Sequence, residues 1–435
     1  MLDWTLLGAI AGTIALLYFT WGYFERRRSR RGAARAADLA ELGEEVVPPS
    51  LHPVIDPDLC IGSGSCTRAC PEGNVLEVVD GRAHLVNPLA CVGHGACAAA
   101  CPVGAIKLVF GTARRGVELP AIDPDFQTNL PGVYIVGELG GMGLIRNAVE
   151  QGRQAALHAA RRGRRGSDVD ALVIGAGPAG ISAALQAQAA GLRTILVEQG
   201  EYGGTIRHYP RDKVVMTGQL ELAGYGTVRR RTMSKEELLA LWDDVRARAG
   251  LDIRTGVTID RIAARGGEWE VGGAHFSARA GSVMLALGRR GSPRRLGVPG
   301  EELAKVHYRL LEPEPFAGHH VLVVGGGNAA ADVALALARF RRCASVTLSY
   351  RRRQLARLRS SVRHELDAAL AARTVIPALG TTVESIEAHS VTLRDERGVR
   401  TSIPNDAVIV QIGGTAPTEL LRSIGVDLVT KRGEA

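Results

Sequence analysis

The sequence predicts an α/β fold in which one strand–helix–strand unit is nested inside another, and three observations support this prediction. The chain has 435 residues, enough for two or three domains that each bury a core. Its 53 glycines and 46% hydrophobic content are typical of α/β proteins with tight strand-to-helix turns. Two glycine-rich turns, at 175–180 and 325–330, each follow an apolar strand and precede an Ala-rich helix.

The charge of the chain does not indicate a nucleic acid partner. The net charge is +8, but the arginines are spread along the chain and no basic motif is interleaved with aromatic residues. We therefore expect a solvated basic surface and no nucleic acid as a partner.

Residues Trp4–Phe24 carry no charge and predict a transmembrane helix. At ~1.5 Å per residue, this stretch would span ~31 Å of hydrocarbon. Five arginines follow at 26–31, which by the positive-inside rule places the rest of the chain in the cytoplasm. The expected location is therefore the cytoplasmic membrane, crossed once, with any catalytic part on the cytoplasmic side. A cleaved signal peptide is the alternative, but Met1–Asp3 supplies no positive charge.

Six of the seven cysteines lie in two copies of one pattern. Residues 60–71 read CIGSGSCTRACP, and residues 91–102 read CVGHGACAAACP. Each cysteine of the first run recurs 31 residues later in the second. A repeated C-x5-C-x3-C-P spacing is more specific than a lone C-x-x-C pair and indicates a metal site. The six candidate ligands are Cys60, Cys66, Cys70, Cys91, Cys97 and Cys101.

Residues 54–109 resemble the bacterial two-cluster ferredoxins, whose runs read C-x2-C-x2-C-x3-C-P. In that family the fourth cysteine of each run binds the cluster of the other run. The resemblance implies two iron–sulfur clusters with crossed ligands. One cluster would take Cys60, Cys66 and Cys101, and the other Cys91, Cys97 and Cys70.

The second ligand position of each run departs from that family, because it holds Ser63 in one run and His94 in the other. Three interpretations stay open: Ser63 and His94 are ligands, the corner iron is absent and the clusters are 3Fe-4S, or one cluster has been lost. A zinc site built from Cys and His is disfavoured by the repeat and its C-P endings. Disulfides are not expected in a reducing cytoplasm. The sequence thus predicts one or two iron–sulfur clusters, 4Fe-4S or 3Fe-4S.

The first glycine-rich turn predicts a dinucleotide site. It reads Gly175-x-Gly177-x-x-Gly180 after the strand Ala171–Ile174, and Glu198 follows 23 residues after the first glycine. The glycines let the backbone approach a pyrophosphate at the helix N-terminus. Glu198 is placed to bind the adenosine ribose hydroxyls.

The second turn follows the strand Val321–Val324 and reads Gly325-x-Gly327-x-x-Ala330 before another helix. Its second strand, Ser345–Ser349, is followed not by an acid but by Arg351 and Arg352. Guanidinium groups bind a 2′-phosphate that an acid would repel, so this pattern favours NADPH over NADH. An ordinary basic surface patch is the alternative.

Two such nested units resemble the thioredoxin-reductase-like branch of the pyridine nucleotide–disulfide oxidoreductases. Segments at 203–205, 285–290 and 406–421 also match that family, whose members are often homodimers. The FAD-binding residues that the resemblance implies are Gly175, Gly177, Pro178, Ala179, Gly180, Glu198, Gln199, Gly204, Thr205 and Gly288. The implied NAD(P)-binding residues are Gly325, Gly327, Asn328, Ala329, Ala330, Arg351 and Arg352.

Residues 121–161 resemble the C-terminal FAD-binding element of the family, although they precede the first glycine-rich turn. A strand at Val133–Val136 leads to Gly137 and Glu138, where the family has Gly-Asp, and then to a helix. The resemblance implies that Gly137, Glu138 and Ala148 contact FAD. The order implies a circularly permuted flavoprotein, in which residues 425–435 would join the stretch at 116–123. Chance similarity of an unrelated region, 111–166, is the alternative.

The complete predicted fold class is α/β, with two nested Rossmann-like dinucleotide-binding domains, a small α+β ferredoxin-like domain and one transmembrane helix. The predicted boundaries are 1–24 for the transmembrane anchor, 25–50 for a linker, 51–110 for the ferredoxin-like iron–sulfur domain, 111–166 for the permuted FAD-binding segment, 167–290 for the FAD-binding domain, 291–403 for the NAD(P)-binding domain and 404–435 for the return to the FAD-binding domain.

The predicted function is that of a membrane-anchored, FAD-dependent NAD(P)H oxidoreductase. It would pass electrons between nicotinamide, flavin and iron–sulfur clusters to a membrane-proximal redox partner or quinone-like acceptor. No catalytic side chain is assigned, because the cofactors carry the chemistry. No C-x-x-C pair follows residue 101, and Cys343 is expected to be a packing residue. The alternatives are a reductase of a small organic or disulfide substrate with a vestigial ferredoxin module, and a non-enzymatic redox sensor or scaffold.

Overall fold

The structure of the chain is a computed structural model. It describes residues 51–434 apart from 92, 94, 115, 142, 164–167, 210, 212, 290–291, 357 and 359, and nearer the N-terminus it describes residues 12–20, 22–24, 27 and 33. The chain divides into two compact units, Met1–Val117 with Lys431–Ala435, and Glu118–Thr430.

Within the described residues, no helix has the length and apolar character needed to cross a membrane. Helical residues occur at 12–20 and 22–24. The prediction of a transmembrane helix at Trp4–Phe24 is therefore wrong for this structure, as is the single-pass membrane location inferred from it, and the membrane is not shown as a partner. Residues 4–11 and 21 of that span, and most of the predicted linker at 25–50, lie outside the described residues. The fold class is corrected to a mixed α/β dinucleotide-binding fold.

In the cysteine-rich unit, two short helices hold equivalent cysteines. Helix α1 (Ser65–Ala69) buries Cys66, and helix α2 (Ala96–Ala99) buries Cys97. Each helix starts after a glycine in the left-handed conformation, which other residues rarely adopt. The strands of this unit are β1 (His52–Ile55), β2 (Leu76–Val79), β3 (Arg82–Leu85) and β4 (Ile106–Val109). Strand β1 pairs antiparallel with β4, and β2 pairs antiparallel with β3.

The rest of the chain is a larger α/β arrangement. Its helices are α3 (Ile145–Arg161), α4 (Pro178–Ala189), α5 (Lys235–Ala249), α6 (Asn328–Phe340), α7 (Ser360–Ala371) and α8 (Thr418–Ser423). Its strands are β5 (Val117–Pro120), β6 (Val133–Ile135), β7 (Val169–Ile174), β8 (Thr194–Glu198), β9 (Val214–Met216), β10 (Gln219–Leu222), β11 (Gly226–Arg229), β12 (Thr232–Ser234), β13 (Asp252–Thr255), β14 (Arg261–Arg265), β15 (Glu268–Gly273), β16 (Phe276–Leu285), β17 (Ser292–Pro293), β18 (Val306–His307), β19 (His320–Val324), β20 (Ser345–Tyr350), β21 (Ile376–Leu379), β22 (Thr381–Ile386), β23 (Ser390–Asp395), β24 (Arg400–Pro404), β25 (Ala407–Val410), β26 (Gly414–Thr415) and β27 (Leu428–Lys431).

A seven-stranded sheet carries the first glycine-rich turn. Its order is β13-β8-β7-β16-β15-β14, and β6 also pairs with β16. Strand β16 is parallel to both β6 and β7, so the ends of these three strands lie at one edge. Because the carboxyl ends of parallel strands form the usual ligand crevice, this edge is the expected cofactor site.

Helices α3 and α4 pack against each other unusually closely, because Gly152 of α3 has no side chain. A Cβ at Gly152 would lie 2.1 Å from the Ala179 carbonyl oxygen and 3.0 Å from the Ala183 nitrogen. The hydroxyl of Ser182 on α4 donates to the Val149 carbonyl of α3 at 2.6 Å. These contacts place α3 directly beside the helix that follows the first glycine-rich turn.

A second sheet carries the second glycine-rich turn. Its five strands, in the order β18-β25-β19-β20-β21, are all parallel, and a separate antiparallel sheet runs β22-β23-β24. Helices α6 and α7 pack on β19 and β20 around a core that includes Val323, Leu337, Leu348 and Leu366. This sheet therefore forms a second dinucleotide-binding arrangement inserted between β16 and the C-terminal elements.

Candidate functional site

The first glycine-rich turn requires glycine at two of its positions. Gly175 has a φ of +107°, and a Cβ there would lie 2.4 Å from the Ala286 carbonyl oxygen. A Cβ at Gly180 would lie 1.8 Å from the Gly175 carbonyl oxygen. Gly177 caps helix α4, whose first residues are Pro178 and Ala179. The turn thus presents backbone at a helix N-terminus, the geometry that binds a pyrophosphate.

Glu198 ends strand β8 and points its carboxylate back at this turn. One carboxylate oxygen accepts a hydrogen bond from the Ala176 N–H at 2.7 Å, and the other accepts one from the Gly200 N–H at 2.9 Å. The side chain is buried, whereas the neighbouring Gln199 is exposed. Glu198 is therefore fixed beside the turn, where the sequence predicts a ribose-binding acid.

Two further predicted segments reach the same edge of the sheet. Gly204, with a φ of +58°, lies so close to the turn that its Cβ would be 3.1 Å from the Gly177 Cα. Thr205 follows it and is exposed. Gly288 follows β16, and the Ala286 N–H of that segment donates to the Ile174 carbonyl at 2.8 Å.

The FAD-binding residues that the resemblance implies in the segment 121–161 also lie beside this turn. Gly137 has a φ of +82°, and its Cβ would lie 3.0 Å from the Cβ of Ala179 and 3.9 Å from that of Ala148. Its N–H donates to the buried amide oxygen of Gln151 at 2.8 Å. Glu138 is exposed, next to this contact. The sequence did not indicate Gln151 or Gly152, since their roles depend on which helix packs against α3.

The second glycine-rich turn is equally constrained. Gly325 has a φ of +147°, and a Cβ there would lie 2.3 Å from the Gln411 carbonyl oxygen. Gly327 caps helix α6, which begins with Asn328, Ala329 and Ala330. The ring of Tyr350 covers Gly326, where a Cβ would lie 2.3 Å from two ring carbons. The sequence pattern did not indicate that Tyr350 lies next to this turn.

The three arginines after β20 differ in their surroundings. Arg351 is exposed and Arg352 is half-buried, and both follow the strand whose end faces the turn. Arg353 instead donates to a Glu396 carboxylate oxygen at 3.0 Å. Arg351 and Arg352 are the residues that the sequence predicts to contact a 2′-phosphate, and Arg353 serves as a control.

We expect the double variant Arg351→Gln/Arg352→Gln to lose its preference for NADPH. Charge-assisted hydrogen bonds to a phosphate contribute about 1.5–3 kcal/mol, so KM for NADPH should rise about tenfold to a hundredfold. KM for NADH, which lacks that phosphate, should change little. Steady-state kinetics with both nucleotides measure this, with Arg353→Gln as the matched variant. Equal losses with NADPH and NADH would contradict a 2′-phosphate contact.

In the cysteine-rich unit, the six thiols form two groups that each mix the two runs. Cys60, Cys66 and Cys101 line one cleft of about 290 Å³, part of it open to solvent, and Ser63 lines it with them. The second cleft, of about 300 Å³, is lined by the remaining three thiols and by Glu72. These three are Cys70, Cys91 and Cys97. His94 lies outside the described residues.

Backbone N–H groups point at the sulfur atoms. The Ala83 N–H donates to the Cys60 sulfur at 3.3 Å, and the Ala105 N–H donates to the Cys101 sulfur at 3.3 Å. The Gly93 N–H donates to Cys91 and the Ala98 N–H to Cys97. Hydrogen bonds to ligand sulfurs are typical of iron–sulfur sites, where they tune the reduction potential.

Burial raises the pKa of four of these thiols. The pKa of Cys97 rises to about 11, and the pKa values of Cys66, Cys70 and Cys91 also rise. Ligands must be thiolates, so iron binding would release their protons and offset the cost of burying charge. Among the described residues, no three Cys, His, Asp or Glu side chains converge on a single metal ion. Three thiols around an open cleft fit a cluster of several irons.

The remaining cysteine, Cys343, is a half-buried packing residue. It contacts the core beneath helix α6, and burial raises the pKa of its thiol. In the described part of the chain all seven cysteines are free thiols.

Comparison with known proteins matches both parts of the chain. Residues 172–434 match the family described as pyridine nucleotide-disulphide oxidoreductase, and residues 52–102 match the 4Fe-4S dicluster domain. A ferredoxin–NADP reductase of Ignicoccus hospitalis is 28% identical over 263 residues, covering 60% of this chain and 82% of the relative. The bacilliredoxin reductase Bdr of Bacillus subtilis is 25% identical over 268 residues, with the same two coverages.

A solved structure supports the fold. The bacillithiol disulfide reductase Bdr from Bacillus cereus aligns with a TM-score of 0.53 at 24% identity, over 60% of this chain and 82% of that one. The pyridine nucleotide-disulphide oxidoreductase match spans more than half of the chain and includes both glycine-rich turns, and the dicluster match includes the six cysteines of the two clefts. The chain therefore belongs to the pyridine nucleotide-disulphide oxidoreductase family, as an FAD-dependent NAD(P)H oxidoreductase whose cofactors are FAD, NADPH and iron–sulfur clusters.

Proposed function

We propose that this enzyme transfers electrons between NADPH and a separate redox partner by way of FAD and the iron–sulfur clusters. The observation that carries the proposal is the combination of two intact dinucleotide turns in one unit with six thiols around two clefts in the other. FAD supplies the step that matches a two-electron hydride donor to one-electron clusters. The direction of flow is open in this proposal.

The residues of the larger unit would bind and orient the two nucleotides. Glu198 would hold the adenosine ribose of FAD, and the turn at 175–180 its pyrophosphate. Gly137 would let the chain approach the flavin, with Gln151 fixing its backbone N–H. Helix α3, which starts at Ile145 without a capping side chain, would direct its positive N-terminal end toward the flavin. The turn at 325–330 would hold NADPH, with Arg351 on the 2′-phosphate.

We further propose that each cluster takes ligands from both runs, as in the crossed arrangement that the ferredoxin resemblance implies. The grouping of thiols by cleft supports this, since each cleft contains the last cysteine of the other run. The first cluster would use Cys60, Cys66 and Cys101, and the second Cys70, Cys91 and Cys97.

We also propose that the flavoprotein part is circularly permuted. Three observations support this. Strand β6 precedes the first glycine-rich turn in the chain, yet it lies in the same sheet, parallel to β16. Helix α3 packs on α4. Strands β5 and β27 form a two-stranded sheet, and the Ala121 N–H donates to the Asp427 carbonyl at 2.8 Å. The predicted domain boundaries and a homodimer remain predictions.

A rearranged chain tests the permutation. Residues 168–430 would be joined by a short glycine–serine linker to residues 118–163, in the order of an unpermuted flavoprotein. We expect this variant to bind FAD, because every contact within that unit is kept and only the connection changes. The control is residues 168–430 alone, which lack β6 and α3 and should not retain flavin. Flavin absorbance after gel filtration measures both; an apoprotein from the rearranged chain would count against the permutation.

Acceptor assays test the proposed electron route. In a Cys66→Ala/Cys97→Ala variant, NADPH-dependent reduction of cytochrome c should fall at least about tenfold. Cytochrome c accepts one electron at a time and would receive its electrons from the clusters. Reduction of a two-electron dye directly by the flavin should be retained. Unchanged cytochrome c reduction would refute a route through the clusters.

The second candidate is a reductase of a disulfide substrate, with vestigial clusters. It is favoured by the relative named bacilliredoxin reductase. NADPH-dependent reduction of a bacilliredoxin by the same cluster-free variant would support this candidate.

A further inference from the structure

The first thiol-lined cleft contains a side chain that neither the family match nor the relatives assign to a role. Ser63 lines the cleft together with Cys60, Cys66 and Cys101. In the sequence it occupies the position where a two-cluster ferredoxin has its second thiolate. The cleft therefore offers three sulfur atoms and one hydroxyl.

The loop around Ser63 is shaped by two glycines in the left-handed conformation. Gly62 has a φ of +68° and Gly64 a φ of +66°, and a Cβ at Gly62 would lie 2.1 Å from the Gly81 carbonyl oxygen. Such a backbone strongly disfavours other residues at position 62. Two glycines in the left-handed conformation thus flank Ser63 in the loop between Cys60 and helix α1.

The surroundings of Ser63 suit a negatively charged oxygen. The Ser65 N–H donates to the Ser63 Oγ at 3.4 Å, and the Ser63 hydroxyl donates to the Ser65 Oγ at 3.2 Å, a bond that would reverse once the Ser63 hydroxyl lost its proton. The Arg68 guanidinium donates to the Ser63 carbonyl at 3.3 Å and brings a positive charge to the same loop. Donors and a nearby cation lower the cost of an alkoxide.

We propose that the Ser63 Oγ is the fourth protein ligand of the first iron–sulfur cluster, completing a set with Cys60, Cys66 and Cys101. This rests on the proposed function in so far as it requires a cluster in this cleft. As the iron–oxygen bond forms, the hydroxyl proton passes to water, as the thiol protons do at the three cysteines. No change of oxidation state is involved. A hard oxygen ligand favours the more oxidised iron, so this cluster should have a lower potential than its all-thiolate counterpart.

Three variants of the full chain, purified without oxygen, test this assignment. In Ser63→Ala the cluster should lose one iron and show the EPR signal of an oxidised 3Fe-4S centre. In Ser63→Cys it should keep all its iron, and its reduction potential should rise. In Ser65→Ala, which removes a hydrogen-bond partner of the Ser63 hydroxyl and no ligand, the iron content should equal that of the wild type. The readouts are iron and sulfide content, and EPR during titration with dithionite.

The outcomes separate this proposal from the proposed function. If the wild type holds clusters but Ser63→Ala has the same iron content, EPR signal and potential, Ser63 is not a ligand. A 3Fe-4S signal from this cluster in the wild type also overturns the assignment. A wild type without any iron–sulfur cluster would instead overturn the proposed function, because dithionite reduces clusters whether or not NADPH does.

Discussion

Replacing Cys101 by alanine should remove the same iron–sulfur cluster as replacing Cys60, although the two cysteines belong to different runs. Both line the first cleft, and a backbone N–H donates to each sulfur at 3.3 Å. Loss of one thiolate leaves two thiolates and the Ser63 hydroxyl, too few sulfur ligands even for a 3Fe-4S centre, so this cluster and about half of the iron should be lost. Cys70→Ala and Cys91→Ala should remove the other cluster.

EPR spectra of the four single variants, reduced with dithionite, decide between crossed and uncrossed ligands. Crossed ligands predict that Cys60→Ala and Cys101→Ala have one spectrum and that Cys70→Ala and Cys91→Ala have another. If ligands came from one run only, Cys60→Ala would instead match Cys70→Ala. Cys343→Ser, remote in sequence and packed in another core, should keep both signals.

Gly152→Ala should destabilise the flavin-binding unit, although alanine is the better helix former. In an exposed helix this change would stabilise by about 1 kcal/mol. Here the new Cβ would lie 2.1 Å from the Ala179 carbonyl oxygen, so helices α3 and α4 must separate. Overpacking of this kind costs about 1–3 kcal/mol, and separation would also move Gly137 away from Ala179. We therefore expect a lower Tm and weaker FAD retention.

Thermal unfolding and flavin release measure the effect of Gly152→Ala. The matched variant is Gly143→Ala, because the nearest atom to a Cβ at Gly143 is 3.8 Å away, an ordinary contact. That variant should keep the Tm of the wild type within a degree or two. A Gly152→Ala protein at least as stable as the wild type would mean that α3 does not pack on α4 as described.

The elements recognised from sequence were those with a strong local pattern. The two glycine-rich turns could be predicted because Gly175 and Gly325 each follow a buried strand and precede an apolar helix. The cysteine repeat is likewise local, and it led to the cofactors that the family match confirms. The observed strands differ by only a residue or two from those predicted; β20, for example, extends to Tyr350.

What the sequence could not reveal depends on contacts between distant segments. Gln151 accepts a hydrogen bond from the Gly137 N–H only because helix α3 lies next to the segment that follows β6. Glycine is required at position 152 only because helix α4 packs against it. Tyr350 reaches Gly326 across the strand-to-helix turn. The transmembrane prediction at Trp4–Phe24 depended on hydropathy alone, and no helix among the described residues is long and apolar enough to cross a membrane.

Anaerobic titration of the full chain with NADPH tests the central claim most directly. Flavin absorbance and the EPR signal of reduced iron–sulfur clusters would be followed in the same samples, with dithionite used afterwards to define full reduction. The proposed electron route predicts that NADPH bleaches the flavin and that a cluster signal then grows in. Bleached flavin with clusters that stay oxidised until dithionite is added would contradict it.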